Sequence, residues 1–190
     1  MTRQPRALVV HESMFGSTAA VAAAVADGLR DEGYDVVVAD VATTSATALP
    51  VPLAELDLLV LGGPTHAFSM TRASTRQDAV RQGADPGRAE VGLREWIAAL
   101  PRSADPLPPV AVFDTRAAKA RRLPAAARKT ARLLRAHGAR AVVPPEGFLV
   151  EDVQGPVVDG ELPRASRWGR AVGAAARAAA PAEGPADLGT

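Results

Sequence analysis

The sequence predicts one α/β domain, a doubly wound sheet of five parallel strands between two layers of helices, that is, a three-layer αβα sandwich. Two observations favour this architecture. The strand-like segments are short apolar runs without polar alternation, as expected of parallel strands buried on both faces. Helical segments separate these runs, so consecutive strands are joined by crossovers, which are right-handed between parallel strands. With 190 residues, the chain is long enough to bury such a sheet in one domain.

Five apolar runs account for the strands. They occupy residues 7–10, 36–39, 56–61 and 110–113, and a fifth run begins at 141–143 and resumes at 148–150. Each has the length and the branched side chains typical of a buried strand. The third run contains one charged residue, Asp57, and ends at the Gly62-Gly63 pair.

The helical segments carry apolar residues three or four positions apart, which places them on one helix face. These residues are Val21, Val25 and Leu29 in 19–29; Leu93, Trp96, Ile97 and Leu100 in 90–100; Leu133 and Leu134 in 125–137; and Trp168 and Val172 in 164–180. Both tryptophans are therefore predicted to lie in the core. Gly33 and Gly138 follow two of the helices and are predicted to end them. We expect a single domain of residues 1–180, followed by a flexible Pro- and Gly-rich tail at 181–190.

Composition excludes several classes of function. The formal net charge is +1, which indicates neither a nucleic-acid nor a membrane partner. The absence of cysteine excludes disulfides, thiolate zinc sites, iron–sulfur clusters and thiol nucleophiles. The first apolar run is too short for a signal peptide, and no stretch is long enough to span a membrane, so we expect a cytoplasmic protein. Residues 114–140 contain nine Lys or Arg, and without stacking aromatics we interpret them as a solvated basic segment.

A turn rich in hydroxyl groups joins the first strand to the first helix. This first turn, residues 12–18, contains Ser13, Met14, Phe15, Gly16, Ser17 and Thr18. A strand, a tight turn and a helix N-terminus together form an anion site, because the first N–H groups of the helix lack internal partners. The turn could therefore hold a phosphate without any Lys or Arg. Alternatively, Ser17 or Thr18 only caps the helix.

A second candidate segment follows the third strand and contains Pro64, Thr65, His66, Ala67 and Phe68. The glycines before it allow the backbone to approach a planar ligand closely. His66 and Phe68 could lie against a ring, and Thr65 could reach the polar edge of that ring. The long connection from 64 to 88 also contains the capping residues of a short helix. The alternative is a turn that ends the strand and carries one surface histidine.

The third candidate segment ends the fourth strand and consists of Asp114, Thr115 and Arg116. Asp114 and Thr115 could form hydrogen bonds with a heterocycle, and Arg116 could place a positive charge beside it. A plain loop with a salt bridge is the alternative. In a parallel sheet all three segments lie at the carboxyl edge of the strands, where doubly wound folds bind their ligands. The sequence therefore predicts one pocket at this edge.

Other site types fit the sequence less well. A nucleotide-binding P-loop needs a lysine where Ser17 stands. A dinucleotide fingerprint needs three spaced glycines, and the first turn has one. A receiver domain needs an aspartate at the end of the third strand, where this chain has Gly62 and Gly63. A hydrolase triad could combine Ser13, His66 and Asp114, but Ser13 lacks the G-x-S-x-G elbow.

Together these segments, in this order, resemble the flavodoxin-like family, and in particular short single-domain flavodoxins of GC-rich bacteria. The likeness covers residues 6–176 and includes a further segment at 151–156. It implies a domain that binds flavin mononucleotide (FMN), with 13–18 on the phosphate and the two later segments flanking the isoalloxazine ring. It also implies electron transfer or a small flavin-dependent oxidoreductase, acting on a redox partner protein or a quinone-like substrate.

The sequence departs from the usual flavodoxin pattern in each of the three candidate segments. Phe15 and Ser17 stand where flavodoxins usually have Thr and Asn, and the two later segments lack the usual Trp and Tyr. The alternative function is therefore a flavodoxin-like module that has lost flavin and acts through protein contacts.

Overall fold

The structure of the protein, a computed structural model, describes residues 3–66, 69–101, 107–120 and 126–179. The strands are β1 (Arg6–His11), β2 (Asp35–Asp40), β3 (Leu58–His66), β4 (Ser69–Met70), β5 (Val110–Ala117) and β6 (Glu146–Val150). The helices are α1 (Ser17–Asp31), α2 (Ala73–Arg81), α3 (Leu93–Ala98), α4 (Ala126–Ala136) and α5 (Glu161–Ala179). The predicted tail at 181–190 lies outside the described residues.

Five strands form the predicted parallel sheet in the order β2-β1-β3-β5-β6. The two-residue strand β4 adds an antiparallel pairing at the end of β3, where Thr65 lies opposite Met70. The chain winds outward from β1 in both directions, so the winding reverses between β1 and β3. The fold class predicted from the sequence is confirmed.

Two apolar cores fill the spaces between the sheet and its two helical layers. Along β1, Leu8 and Val10 face one core, while Ala7 and Val9 face the other, as the alternation of side chains along a strand requires. The first core contains residues of α3 and α4, and the second contains residues of α1 and α5. This double coverage explains why the strand sequences are continuously apolar.

Trp96 lies in the core as predicted, whereas Trp168 is half-buried and packs against the edge of its core. Trp96 is buried in the core beneath α3, and its indole N–H donates a hydrogen bond to the carbonyl of Thr44 at 2.9 Å. Trp168 packs edge-to-face against Phe113 and Phe148, with ring centroids 6.1 and 6.0 Å apart. Gly33 and Gly138 follow α1 and α4 with positive φ, which confirms their predicted roles at the helix ends.

Two segments differ from the sequence-based expectation. The fifth strand, predicted to begin at 141–143, is only β6, and Ala141 makes a single bridge to Val110. Pro144 and Pro145 lie between them and have no N–H groups to continue a ladder. The connection from 64 to 88 contains β4 as well as the expected short helix, α2. None of the helices in the described ranges is long and apolar enough to cross a membrane.

Candidate functional site

The carboxyl ends of β1, β3 and β5 surround a cavity of about 220 Å³. It brings together ten of the residues predicted from the sequence: Ser13, Met14, Phe15, Ser17, Thr18, Pro64, Thr65, His66, Thr115 and Arg116. The predicted residues Ala67 and Phe68 lie outside the described part of the chain. Gly16 and Asp114 are not among the lining residues. The three separate segments therefore meet at one site.

The first turn is held by its own serine. The hydroxyl oxygen of Ser13 accepts hydrogen bonds from the backbone N–H groups of Gly16, at 3.1 Å, and Ala19, at 3.2 Å. Gly16 has a φ of 94°, in the left-handed region that favours glycine, and this lets the chain turn into α1. Arg88 donates a hydrogen bond to the carbonyl of Ser13 at 2.9 Å and fixes the turn from outside.

Several N–H groups of this turn remain available to a ligand. Within the described residues, the backbone N–H groups of Met14, Phe15, Ser17 and Thr18 have no hydrogen-bond acceptor. They lie at the N-terminus of a 15-residue helix, where the helix dipole also favours negative charge. The turn therefore has the donors of an anion site. The alternative, that Ser17 or Thr18 only caps the helix, is wrong, because the N-cap residue is Gly16 and neither hydroxyl group makes the cap hydrogen bond.

A pair of buried hydroxyl groups joins the first turn to the end of β5. The hydroxyl oxygens of Thr18 and Thr115 lie 2.7 Å apart, and both side chains are buried at the cavity wall. This hydrogen bond fixes the N-terminus of α1 against the third candidate segment.

Asp114 differs from its expected role. It is fully buried and lies behind the cavity wall, where one carboxylate oxygen accepts a hydrogen bond from the N–H of Ala127 at 2.9 Å. The hydroxyl oxygen of Thr65 accepts from the N–H of Ala126 at 2.9 Å. Asp114 and Thr65 thus hold the first residues of α4. Burial raises the pKa of Asp114, although the hydrogen bond from Ala127 and the charge of Arg116 partly oppose this effect.

Arg116 brings a positive charge to the cavity wall. Its guanidinium group lies over the backbone of Gly147, where a Cβ would be 2.1 Å from one guanidinium nitrogen. Its Nε is 3.8 Å from a carboxylate oxygen of Asp114. Arg72, which immediately precedes α2, is not among the lining residues. Arg116 and Lys119 are therefore the cationic side chains among the described lining residues, and Arg116 is held in place by its packing.

His66 ends β3 and lines the cavity next to Thr65. Burial lowers the pKa of His66 below its usual 6.5, so the imidazole is neutral at pH 7. No hydrogen bond joins the side chains of Ser13, His66 and Asp114, all of which the structure describes. The hydrolase triad considered from the sequence is therefore not assembled.

A buried carboxylate behind the first turn was not assigned a role from the sequence. Glu12 is buried, and its carboxylate oxygens accept hydrogen bonds from the hydroxyl of Thr71 and from the N–H of Leu93. Burial raises the pKa of Glu12, and these hydrogen bonds and the charge of Arg76 partly oppose the shift. This network fixes the start of the turn against β4 and α3. A glutamate after an apolar strand gives no sequence signal of burial, because its partners lie far along the chain.

Four further lining residues were not predicted: Ala117, Lys119, Val150 and Val153. The last two belong to the end of β6 and the segment after it. That segment carries part of the family resemblance at 151–156, but the sequence alone assigned no binding residue to it.

Comparison with known proteins identifies the fold. No protein-family model and no curated protein matches the sequence. Flavodoxin 1 from Bacillus cereus is 16% identical with a TM-score of 0.62, and the match covers 93% of this chain and 99% of that chain. A flavodoxin, WrbA-like protein from Agrobacterium tumefaciens is 17% identical with a TM-score of 0.58, covering 92% and 98%.

A third similar structure is the rubredoxin oxygen:oxidoreductase from Desulfovibrio gigas. It is 16% identical with a TM-score of 0.62, and the match covers 92% of this chain but 37% of that chain. These matches show that the chain has a flavodoxin-like fold along most of its length, as the resemblance implied.

Proposed function

We propose that this protein binds FMN and works as a redox protein, either as an electron carrier or as a small flavin-dependent oxidoreductase. The observation that carries the proposal is the position of the first turn, with its N–H donors, beside the cavity. Unpartnered N–H groups at the start of α1 border a cavity that also receives residues from the ends of β3 and β5. The similar structures named flavodoxins support the same proposal.

The first turn fits the phosphate group of FMN. A phosphate would accept hydrogen bonds from the N–H groups of Met14, Phe15, Ser17 and Thr18, none of which has a described partner. No lysine or arginine is needed, because the helix dipole and charge-assisted hydrogen bonds stabilise the anion.

The cavity fits the isoalloxazine ring. Apolar lining comes from Met14, Phe15, Pro64, Val150 and Val153, and a few polar groups lie among them. Cofactor sites typically combine such a concave apolar wall with a small number of placed polar groups. Thr65 and Thr115 place hydroxyl groups at the wall, but both are already engaged in structural hydrogen bonds.

The charged and titratable side chains among the described lining residues are Arg116, Lys119 and His66. When bound, FMN would supply the one- or two-electron chemistry, and the protein would tune its potential and access. Because reduction adds negative charge to a flavin, Arg116 at the cavity wall would stabilise the reduced form. The neutral imidazole of His66 adds no further charge at pH 7.

Titration of the apo-protein with FMN tests the proposal. We expect binding with quenched flavin fluorescence and a shifted absorption spectrum. Riboflavin, which lacks the phosphate, should bind at least tenfold more weakly. A protein that leaves the fluorescence of both flavins unchanged at micromolar concentration would favour the alternative, a module acting through protein contacts.

A double variant tests the phosphate site. Ser13→Ala with Thr18→Ala should weaken FMN binding about tenfold or more while changing riboflavin binding much less. The control is Ser45→Ala with Thr47→Ala, an exposed hydroxyl pair 2.9 Å apart outside the cavity. Equal losses for FMN and riboflavin in the first double variant would contradict phosphate binding at this turn.

Two assays of the flavin-loaded protein then separate the two redox roles. Rapid reduction of a soluble quinone with a pyridine nucleotide as electron donor would indicate an oxidoreductase. Electron exchange with a protein redox partner, without quinone turnover, would indicate a carrier.

A further inference from the structure

The segment between β6 and α5 forms a closed turn beside the cavity. In this β6–α5 turn, residues 151–156, the N–H of Glu151 donates to the carbonyl of Pro156 at 2.9 Å. Inside it, the N–H of Gly155 donates to the carbonyl of Asp152, also at 2.9 Å. The turn is therefore defined by its own hydrogen bonds.

Contacts to two other elements fix the β6–α5 turn across the cavity. The side-chain amide of Gln154 donates to the carbonyl of Gln82, just after α2, at 3.1 Å. Lys119, in the segment after β5, forms an ion pair with Asp152 at 3.0 Å. The turn thus spans from the β5 side of the cavity to the α2 side.

The β6–α5 turn also contacts the first turn. A Cβ added to Gly155 would lie 2.6 Å from the hydroxyl oxygen of Ser17, so the backbone of Gly155 lies directly against that side chain. The two turns are neighbours in space although they lie far apart along the chain.

Val153 is the residue of this turn that faces the cavity. It lines the cavity and is 48% exposed, more than any other large aliphatic side chain among the described residues. Together with His66 it also lines an adjoining cavity of about 210 Å³ next to α2. Val153 and His66 therefore lie between the two cavities, and the valine presents apolar surface that a ligand would cover.

We propose that the β6–α5 turn is a further flavin-binding element in which Val153 packs against the isoalloxazine ring. This inference rests on the proposed function. Among the described residues that line the cavity there is no Trp or Tyr. Val153 supplies apolar cover for the ring from a fourth segment of the cavity rim, and a flat ring would bury the exposed part of its side chain.

The test compares Val153→Ala with Val38→Ala, since Val38 is a partly exposed valine on β2, outside the cavity. Val153→Ala should weaken FMN and riboflavin equally, by about fivefold each, because it removes ring contact and leaves the phosphate site intact. Val38→Ala should leave both affinities unchanged. Val153→Trp should deepen the quenching of bound flavin fluorescence, because an indole at this position would stack on the ring.

The outcomes separate this inference from the proposed function. If the natural protein binds neither flavin, the proposed function fails and this inference fails with it. If it binds both flavins and Val153→Ala matches Val38→Ala, the inference is overturned while the proposed function stands. Loss of FMN affinity alone would also overturn it, because Val153 would then act on the phosphate side.

Discussion

A Cβ atom at Gly62 would lie 1.9 Å from Cζ of Phe113, so the ring of Phe113 rests directly on the glycine backbone. Phe113 is buried and packs edge-to-face with Phe148 and Trp168. The sequence-based interpretation, that the glycine allows a planar ligand to approach, is therefore wrong for Gly62. The ring that needs the space is a side chain of the core.

Replacing Gly62 with alanine should severely destabilise the protein. The new methyl group must displace the buried ring of Phe113, and we expect a loss of about 3 kcal/mol or more in the free energy of unfolding. The control is Gly63→Ala, whose nearest contact would be the end of the Leu93 side chain at 3.2 Å. That variant should lose about 1 kcal/mol, and urea denaturation measures both. Equal losses would contradict this account.

Replacing Gly16 with alanine should affect both stability and flavin binding. No atom lies within 4 Å of the added Cβ, so the cost comes from the left-handed backbone, about 1 kcal/mol. Gly138→Ala is the matched control, because Gly138 has a φ of 80° and is equally unobstructed.

The two glycine variants should differ in ligand binding. Both should lose similar stability in thermal denaturation, but only Gly16→Ala should weaken FMN, because strain at Gly16 disturbs the donors of the first turn. Unchanged FMN affinity in Gly16→Ala would show that the turn does not bind the phosphate.

Replacing Thr115 with valine tests the link between the first turn and β5. The change leaves the buried hydroxyl of Thr18 without its partner and should cost about 1–2 kcal/mol of unfolding free energy. FMN affinity should also fall a few-fold, since Thr18 is no longer held. Thr130→Val is the control: Thr130 is buried in α4, and its hydroxyl donates to the carbonyl of Ala126 within the same helix. A change in FMN affinity in the control would count against a specific role for Thr115.

Replacing Glu12 with glutamine should change the pH dependence of stability. Burial raises the pKa of Glu12 in the folded protein above 4.5, because the buried side chain favours the neutral, protonated form. The contribution of this carboxyl group to the free energy of unfolding is therefore fully present below pH 4.5 and is lost as the pH rises through the folded-state pKa. Glutamine stays neutral throughout. The free energy of unfolding of the natural protein, minus that of Glu12→Gln, should therefore fall as the pH rises from 4.5 into the neutral range.

Urea denaturation of both proteins across this pH range gives that difference, in which the other titrating groups cancel. A difference that stays constant with pH would show that the carboxyl group of Glu12 titrates alike in the folded and unfolded states.

The sequence predicted most elements because their signals are local. The apolar runs and the helical spacing around Val25 and Trp96 depend on neighbouring residues, and these elements formed as expected. The boundaries of β6 were less predictable. Proline removes a backbone donor, but whether the chain rejoins the sheet before or after Pro144 depends on the neighbouring strand.

The roles of individual polar residues depended on the tertiary structure. By itself, the sequence determined the order of strands and helices along the chain and the convergence of three segments at one edge of a sheet. The spacing of apolar residues identifies the elements, and the rules for connecting parallel strands place the segments at the same edge. Only the folded chain decided that Asp114 holds α4, that Gly62 accommodates Phe113 and that Val153 reaches the cavity. Each role is set by a partner distant in sequence, and burial, hydrogen bonding and steric contact act through space, where spacing along the chain carries no information.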